Sequence, residues 1–206
     1  MSLLALQPQR IPLFPLSTPL LPDSVMALQI FEVRYLHLIK KCHAEQTPFG
    51  IVAIRQGSEV QKAGLNEETL YTVGCLARVY SIDTIHPALL RMVCLGGSRF
   101  NLANSRKEGL GLWYADATPL AEDPNVDIPS NLQSCADKLG ALIAQSQRQG
   151  VIEQLPFKAP YRLDEAGWVA NQWAMLLPLT TDDKIAIMSV IDPVQRLTQV
   201  SAWLDR

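Results

Sequence analysis

Four closely spaced prolines near the N-terminus restrict the first part of this chain more than any other feature. They are Pro12, Pro15, Pro19 and Pro22 in the segment IPLFPLSTPLLP, at a spacing that imitates one face of a helix. Proline lacks a backbone N–H and clashes with the carbonyl four residues earlier, so a helix is excluded there. The residues between the prolines are mostly large and apolar, and two of the proline pairs match the PxxP pattern of SH3 ligands. Three interpretations of this segment are open: a surface ligand, a linker or a strand of the core.

The composition favours a folded protein with a sizeable core. The chain has 206 residues, of which 48% are hydrophobic, and its formal net charge is -2. A chain of this length can bury the core of one larger domain or of two small, closely packed ones. A net charge so close to zero gives no general attraction to phosphate backbones or acidic membranes, so nucleic-acid binding would need a local basic patch.

Neither a membrane span nor a secretory signal is predicted. The apolar run in MSLLALQPQR has no basic region ahead of it, and later apolar runs are interrupted well short of about 18 residues. The four cysteines are widely separated and form no CxxC pair, which argues against a zinc site and fits reduced, buried thiols. They are Cys42, Cys75, Cys94 and Cys135. We therefore expect a cytoplasmic protein with no membrane partner.

Hydrophobic periodicity predicts strands in the first part of the chain. Strands are expected at 25–30, 49–55, 70–85, 89–95, 99–102 and 112–117. Gly96 and Gly97 are expected to form a turn between two of them, and a polar loop is expected at 57–68. An early amphipathic helix is expected from Phe31 to about Glu45, with Phe31 and Tyr35 on its buried face.

The second part of the chain is predicted to be helical. A polar connector at 121–129 precedes helices expected at 131–149, after Asp164 as an N-cap, and at 184–191. A last helix is expected to begin at Asp192, because Pro193 suits a first helical turn. Strands followed by helices predict an α+β fold, with a β-rich subdomain at 1–120 and a helical subdomain at 121–206.

No catalytic or cofactor-binding constellation is recognisable in the sequence. The glycine pairs lack the spacing of a P-loop or a dinucleotide fingerprint, and no G-x-S-x-G motif occurs. His37 and His43 share a predicted helix at a spacing that points them to different faces, so they cannot ligate one metal ion together. We therefore predict that the chain is not an enzyme and holds no cofactor and no metal ion.

A set of basic residues suggests one alternative function. Arg91, Arg99, Arg106 and Lys107 are expected on neighbouring strands, where they could form a patch that contacts RNA. The overall charge, and the lack of aromatic residues alternating with basic ones, favour solvated or ion-paired side chains instead. A nucleic-acid partner is accordingly not favoured.

Four short motifs, in their order and spacing, resemble the N-terminal domain of Lon proteases, which also occurs as a stand-alone protein. They are IPLFPL at 11–16, QIFEVRY at 29–35 followed by FG at 49–50, VGCLARV at 73–79, and GGSRF at 96–100. Two further segments, WAMLLP at 173–178 and DPVQRL at 192–197, resemble the helical part of that domain. The resemblance covers nearly the whole chain.

The resemblance implies a β-rich, PUA-like pseudo-barrel with one early helix, followed by a C-terminal helical bundle. It implies binding rather than catalysis, because the P-loop ATPase and Ser-Lys peptidase parts of a full-length Lon protease are not expected here. The implied function is a non-catalytic substrate-recognition module in proteolysis, linked to protein quality control. Its expected partners are unfolded or extended polypeptide segments and an ATP-dependent protease in trans, and RNA binding through a PUA-like basic face is the alternative.

The motif also supplies candidate residues for peptide contact, which are Glu32, Arg34 and Tyr35. Their alternative role is structural, because Glu32 in a first helical turn complements the helix dipole and can pair with Arg34 or Arg99. The sequence departs from the family pattern at Asp23, Ser24, Gln29 and Val33. Gln29 stands where the family often has a histidine, so a site transferred to that position is in doubt.

The resemblance also assigns the proline-rich segment to the first barrel strand and the turn after it. Proline is tolerated in an edge strand, because one side of such a strand needs no donors, and it discourages unwanted strand pairing. We therefore predict an edge strand in which Leu13 or Phe14 is buried.

Overall fold

In the residues that the structure describes, the β-rich part has six strands and one helix. The computed structural model describes residues 7–57 and 68–205. The strands are β1 (Gln9–Leu16), β2 (Val25–Ile30), β3 (Phe49–Gln56), β4 (Thr69–His86), β5 (Leu89–Glu108) and β6 (Leu112–Pro119). Helix α1 (Val33–Glu45) lies between β2 and β3. Apart from its two end residues, the loop predicted at 57–68 lies outside the described residues.

The strands form one sheet that closes on itself. Their order is β2-β5-β4-β3-β1-β6, and β6 also pairs with β5, so five strands complete a barrel and β2 extends it along β5. One group of buried side chains fills the barrel, and a second lies between the sheet and α1. The predicted pseudo-barrel with one early helix is therefore confirmed.

Strand β1 is an interior strand, so the prediction of an edge strand is wrong. It pairs antiparallel with β6 from Gln9 to Leu13 and parallel with β3 from Leu13 to Leu16. Backbone N–H groups alternate between the two sides of a strand, so Pro12 and Pro15 lack donors on opposite sides. Each half of β1 has a partner strand on one side only, because β1 changes partner at Leu13. The proline in each half can therefore lack its N–H on the side that has no partner strand. The predicted burial is confirmed, because Leu13 is fully buried and Phe14 is 6% exposed.

Strand β5 runs through Gly96 and Gly97 without a turn, which corrects the prediction of two separate strands. A Cβ atom at Gly96 would lie 2.2 Å from the carbonyl oxygen of Leu21. The Gly96 N–H donates to Ser24 and its carbonyl accepts from Asp23. Glycine is thus required at this position because another backbone segment packs directly against it.

Helix α1 begins two residues later than predicted, and this changes the environment of Phe31. Glu32 occupies the N-cap position with an extended backbone, and Val33 is the first helical residue. The side chain of Phe31 is 56% exposed, so its predicted place on the buried helix face is wrong. Tyr35 is buried, as predicted.

The C-terminal part contains four helices, α2 (Gln133–Arg148), α3 (Ala166–Leu176), α4 (Thr181–Ser189) and α5 (Pro193–Leu204). Short 3-10 turns lie at Ser130–Leu132 and Ile152–Gln154. The predicted start of the last helix is confirmed, because Asp192 accepts a hydrogen bond from the Gln195 N–H. The predicted cap at Asp164 is wrong, because Glu165 holds the N-cap position of α3 without a capping bond from its side chain.

The helices and the barrel share buried side chains. The helical core includes Leu21 and Val73 from the β-rich part, and Phe157 of this core forms an antiparallel bridge with Ser24. The division into subdomains at residue 120 stays a prediction, although the last strand ends at Pro119. Within the described residues, no helix has the length and apolar character needed to cross a membrane.

Candidate functional site

The outer edge of β2 exposes backbone hydrogen-bonding groups. Ser24 directs its carbonyl to the N–H of Gly96 in β5, whereas the N–H of Val25 donates in the other direction, to Pro156 at 2.6 Å. Backbone groups alternate along a strand, so those of Ala27 and Gln29 point away from β5, like those of Val25. Both residues are exposed, and β5 is the strand partner of β2 among the described residues. The edge therefore presents two N–H and two C=O groups to a ligand.

This edge lacks the features that protect most exposed strands. Edge strands usually carry charged side chains or proline, which discourage pairing with another chain. Strand β2 has the sequence VMALQI and contains neither. At its first residue, Val25, its N–H already donates to the carbonyl of Pro156 in another segment of the chain.

A small apolar cavity lies beside the end of β2. Its volume is about 100 Å³, and its lining includes Phe14, Leu28, Phe31, Glu32 and Tyr35. Phe31 is 56% exposed and the neighbouring Val33 is 60% exposed. A peptide that pairs with β2 would direct alternate side chains toward this apolar surface.

The structure brings the three candidate peptide-contact residues together but gives each a different role. The Nη2 atom of Arg34 donates to Oε2 of Glu32 at 2.7 Å, and its Nη1 atom donates to the carbonyl of Gly111 at 2.8 Å. Arg34 is 8% exposed, and its Cζ atom lies 4.7 Å from the centroid of the Tyr35 ring. Tyr35 packs edge-to-face against Phe14, with ring centroids 4.2 Å apart. Arg34 and Tyr35 thus belong mainly to the packing, and Glu32 is the most accessible of the three.

A second groove lies on the other side of Arg34. Its volume is about 360 Å³, and Leu38, Lys41, Leu110 and Tyr114 contribute to its walls. Leu110 is 73% exposed. The Nε atom of Arg34 is buried and has no hydrogen-bond partner among the described residues. The two grooves and the end of β2 therefore lie next to α1.

The four basic residues proposed for RNA contact do not form one face. Arg91 and Arg106 lie near opposite ends of the long strand β5. Arg106 pairs with Glu108, and Lys107 pairs with Glu68 and lies over the ring of Trp113.

Arg99 is removed from any basic surface by burial. It is 3% exposed, and it donates to the carbonyls of Met188 and Val190 and to the carboxylate of Asp123. Burial, followed by repulsion from the Arg196 guanidinium, lowers the pKa of Arg99 below its ordinary value. Its place in an RNA-contact patch is therefore corrected: Arg99 joins the barrel to the helices.

The four thiols are buried in the part of the chain that the structure describes. They are unpaired with one another. Burial raises the pKa of Cys94 to about 12, which keeps this thiol protonated and poorly nucleophilic at neutral pH. Across the described ranges, no three acidic, histidine or cysteine side chains are grouped to hold a metal ion.

Sequence reasoning proposed contact residues at the start of α1, which stay a prediction, and it did not locate an open edge at β2. The position of Ala27 and Gln29 depends on which strand pairs with β2, and β5 is distant in the sequence. The absence of charge and proline from VMALQI was a usable signal that this strand is open to pairing.

Comparisons with known proteins agree with this architecture. The model for the substrate-binding domain of ATP-dependent protease La (LON) matches residues 10–206. A search of curated protein sequences gives no match. A solved Lon N-terminal domain protein from Xanthomonas campestris is 25% identical, with a TM-score of 0.73 over 95% of this chain and 98% of that chain.

A second solved structure shares the fold at lower identity. The N-terminal domain of Lon protease from the Mycobacterium avium complex is 15% identical, with a TM-score of 0.64 over 96% of this chain and 98% of that chain. The fold and the match of the family model over nearly the whole chain lead to one conclusion. This chain belongs to the LON substrate-binding domain family.

Proposed function

We propose that the protein is a non-catalytic module that binds extended polypeptide by strand addition to the outer edge of β2. The observation that carries this proposal is the pair of residues Ala27 and Gln29, whose outward backbone groups have no partner among the described residues. An extended segment bonded to these groups would become an additional strand of the sheet. Membership of a substrate-binding domain family supports polypeptide as the ligand class.

Side chains next to the edge add apolar contact to the backbone bonds. On one face, a bound strand lies next to the cavity lined by Phe14, Leu28 and Phe31. That cavity, at about 100 Å³, is smaller than the roughly 150 Å³ cavity that holds a benzene molecule, so it suits an aliphatic side chain. Glu32 stands at the rim, where its carboxylate is available to a donor on the ligand.

The affinity for a single short peptide should be weak. Each backbone hydrogen bond contributes a net stabilisation of about 0.5–1.5 kcal/mol, and ordering a flexible peptide offsets much of that gain. Weak binding of many sequences suits a module that recognises unfolded segments rather than one defined partner.

Substitution of Gln29 tests the proposal directly. Gln29→Pro removes one outward N–H but leaves the ladder with β5 intact, because that N–H does not point toward β5. Gln29→Thr is the matched control, since it changes the side chain and keeps the N–H. The measurement is fluorescence polarisation with a labelled peptide of alternating valine and threonine, with circular dichroism as a check of folding.

We expect Gln29→Pro to weaken peptide binding about tenfold, because one bond is lost and a ligand carbonyl is left unsatisfied. Gln29→Thr should bind like the wild type. Equal affinities for all three folded proteins would show that the β2 edge is not the binding surface.

We further propose that the clients are unfolded polypeptides handled in cytoplasmic protein quality control, together with an ATP-dependent protease that acts in trans. The family match supports this context but names no partner for this chain. A pull-down under native conditions followed by mass spectrometry should recover such a protease with the wild type. Recovery of ribosomal material alone would contradict the proposal.

A further inference from the structure

Strands β2, β5 and β4 form a three-stranded section of the sheet with two very different faces. One face carries Leu28, Ile30, Leu90 and Met92, which pack against α1. The opposite face carries the residues in the alternate positions of the register. We call it the outer face, and it consists of Val25, Ala27, Gln29, Arg78, Tyr80, Ser81, Asp83, Arg91, Val93 and Leu95.

The outer face carries exposed apolar side chains among its polar ones. Antiparallel sheets often have one solvated face, but polar residues normally cover it. Here Tyr80 is 60% exposed and Leu95 is 39% exposed. Val93 of β5 lies opposite Ala27 of the edge strand β2. Clustered exposure of this kind is typical of a surface that contacts another molecule.

One end of the outer face forms a deeper recess. A cavity of about 300 Å³ lies there, bounded by Tyr80, Leu95, Lys158, Pro160 and Trp168. The Nζ atom of Lys158 lies 4.3 Å from the centroid of the Tyr80 ring. The recess offers space for one large apolar side chain of a partner, with a cation at its rim.

The dimensions of the outer face match an α-helix. Three strands spaced about 4.8 Å apart are roughly 10 Å wide between the outer two, which is close to the diameter of a helix with its side chains. The six residues of β2 extend about 20 Å, the length of roughly 13 helical residues. Helix α1 already packs in this way on the opposite face of the same three strands.

The charges on the outer face favour an acidic partner. Arg78 and Arg91 are exposed, and neither forms an ion pair with another residue in the described ranges. Asp83 lies opposite Arg91 in the register, and Lys158 at the recess is already paired with Glu153 at 3.6 Å, so Arg78 and Arg91 are the cations that a partner would meet. Acidic residues on a bound helix would find complementary charges on both sides of the apolar centre.

We propose that the outer face docks an amphipathic helix of a partner protein that carries acidic residues beside its apolar stripe. The bound helix forms a third layer, so that the three strands lie between α1 and the helix. The bound helix contacts side chains of the sheet face, whereas an extended peptide pairs with backbone groups of the β2 edge, so the two ligands differ in conformation and in chemistry.

The test uses two labelled synthetic helices with the same leucine and alanine stripe. One has glutamate beside the stripe and the other has lysine at the same positions. Fluorescence anisotropy at low salt should show at least tenfold tighter binding of the glutamate helix to the wild-type protein. Equal binding of the two helices would overturn the proposal.

Two variants locate the helix on the protein. Leu95→Asp should weaken binding of the glutamate helix at least tenfold, whereas Ile191→Asp, at an exposed isoleucine between α4 and α5, should not. Arg91→Glu should weaken the glutamate helix and strengthen the lysine helix, and it keeps the test decisive if Leu95→Asp does not fold. An equal effect of Leu95→Asp and Ile191→Asp would contradict the assignment.

Two further measurements separate this proposal from its alternatives. Folded Leu95→Asp should bind the extended valine–threonine peptide like the wild type, so that failure of helix docking and failure of strand addition remain distinguishable. Sedimentation velocity should show a monomer at the concentrations used. A dimer that Leu95→Asp dissociates would identify a second copy of this chain as the occupant and overturn the proposal.

Discussion

Asp123 holds together the two parts of the protein through a buried cluster of charges. Its carboxylate accepts hydrogen bonds from Arg99 in β5 and from Arg196 in α5. Both arginines are nearly inaccessible, and they also donate to the carbonyl of Val190. The cluster therefore joins the barrel to the end of α4 and to α5.

Removing this carboxylate should destabilise the protein strongly. Asp123→Ala leaves two buried guanidinium groups without their counter-charge, so we expect a loss of about 3–5 kcal/mol in the free energy of unfolding. Urea denaturation followed by circular dichroism measures the change. Asp137→Ala, an exposed carboxylate on α2, is the control and should change stability by less than about 0.5 kcal/mol. A similarly small effect of Asp123→Ala would show that the cluster does not hold the two parts together.

The burial of Arg99 could not be predicted from the sequence. Arg99 looked like a surface cation because its sequence neighbours include polar residues and glycine. Its burial depends on Asp123, Met188 and Val190, which follow much later in the chain. Leu13 and Phe14, in contrast, could be predicted as buried because a barrel strand with large apolar residues must fill the core.

The lack of a side chain at Gly96 allows strand β5 to pack directly against the segment before β2. A methyl group at this position would overlap the carbonyl of Leu21 at 2.2 Å, whereas the nearest contact for a Cβ at Gly97 is 3.4 Å. Gly96→Ala requires the backbone to shift, so we expect a destabilisation of about 1–3 kcal/mol. Gly97→Ala should cost clearly less, and thermal unfolding of both variants provides the comparison. Equal melting temperatures would contradict the close approach at Gly96.

The elements themselves were largely predictable, but their partners were not. The alternation of apolar residues marked most of the strands, and Asp192 with Pro193 marked the start of α5. The pairing of β1 on both sides was missed, because the prolines indicated an edge and the change of partner at Leu13 is a property of the closed barrel. The glycine pair in β5 was assigned to a turn for a similar reason, since the segment that packs against it is remote in sequence.

The closed barrel leaves the outer edge of β2 without a strand partner in the part of the chain that the structure describes. Every other strand has neighbours on both sides over at least part of its length, because the barrel closes through β5 and β6. Strand β2 pairs with β5 alone among the described residues, and it begins where the chain has already added the segment at Pro156. The open edge is thus a consequence of the topology, and the candidate residues at the start of α1 lie next to it.

The most direct test of strand addition is amide hydrogen exchange of β2, measured by NMR with and without the valine–threonine peptide. The amides of Met26 and Leu28 point toward β5 and serve as the internal control, because the ladder protects them in both states. We predict that the amides of Ala27 and Gln29 exchange fast in the free protein and become protected when the peptide is bound. Saturating peptide binding with unchanged exchange at Ala27 and Gln29 would contradict the account.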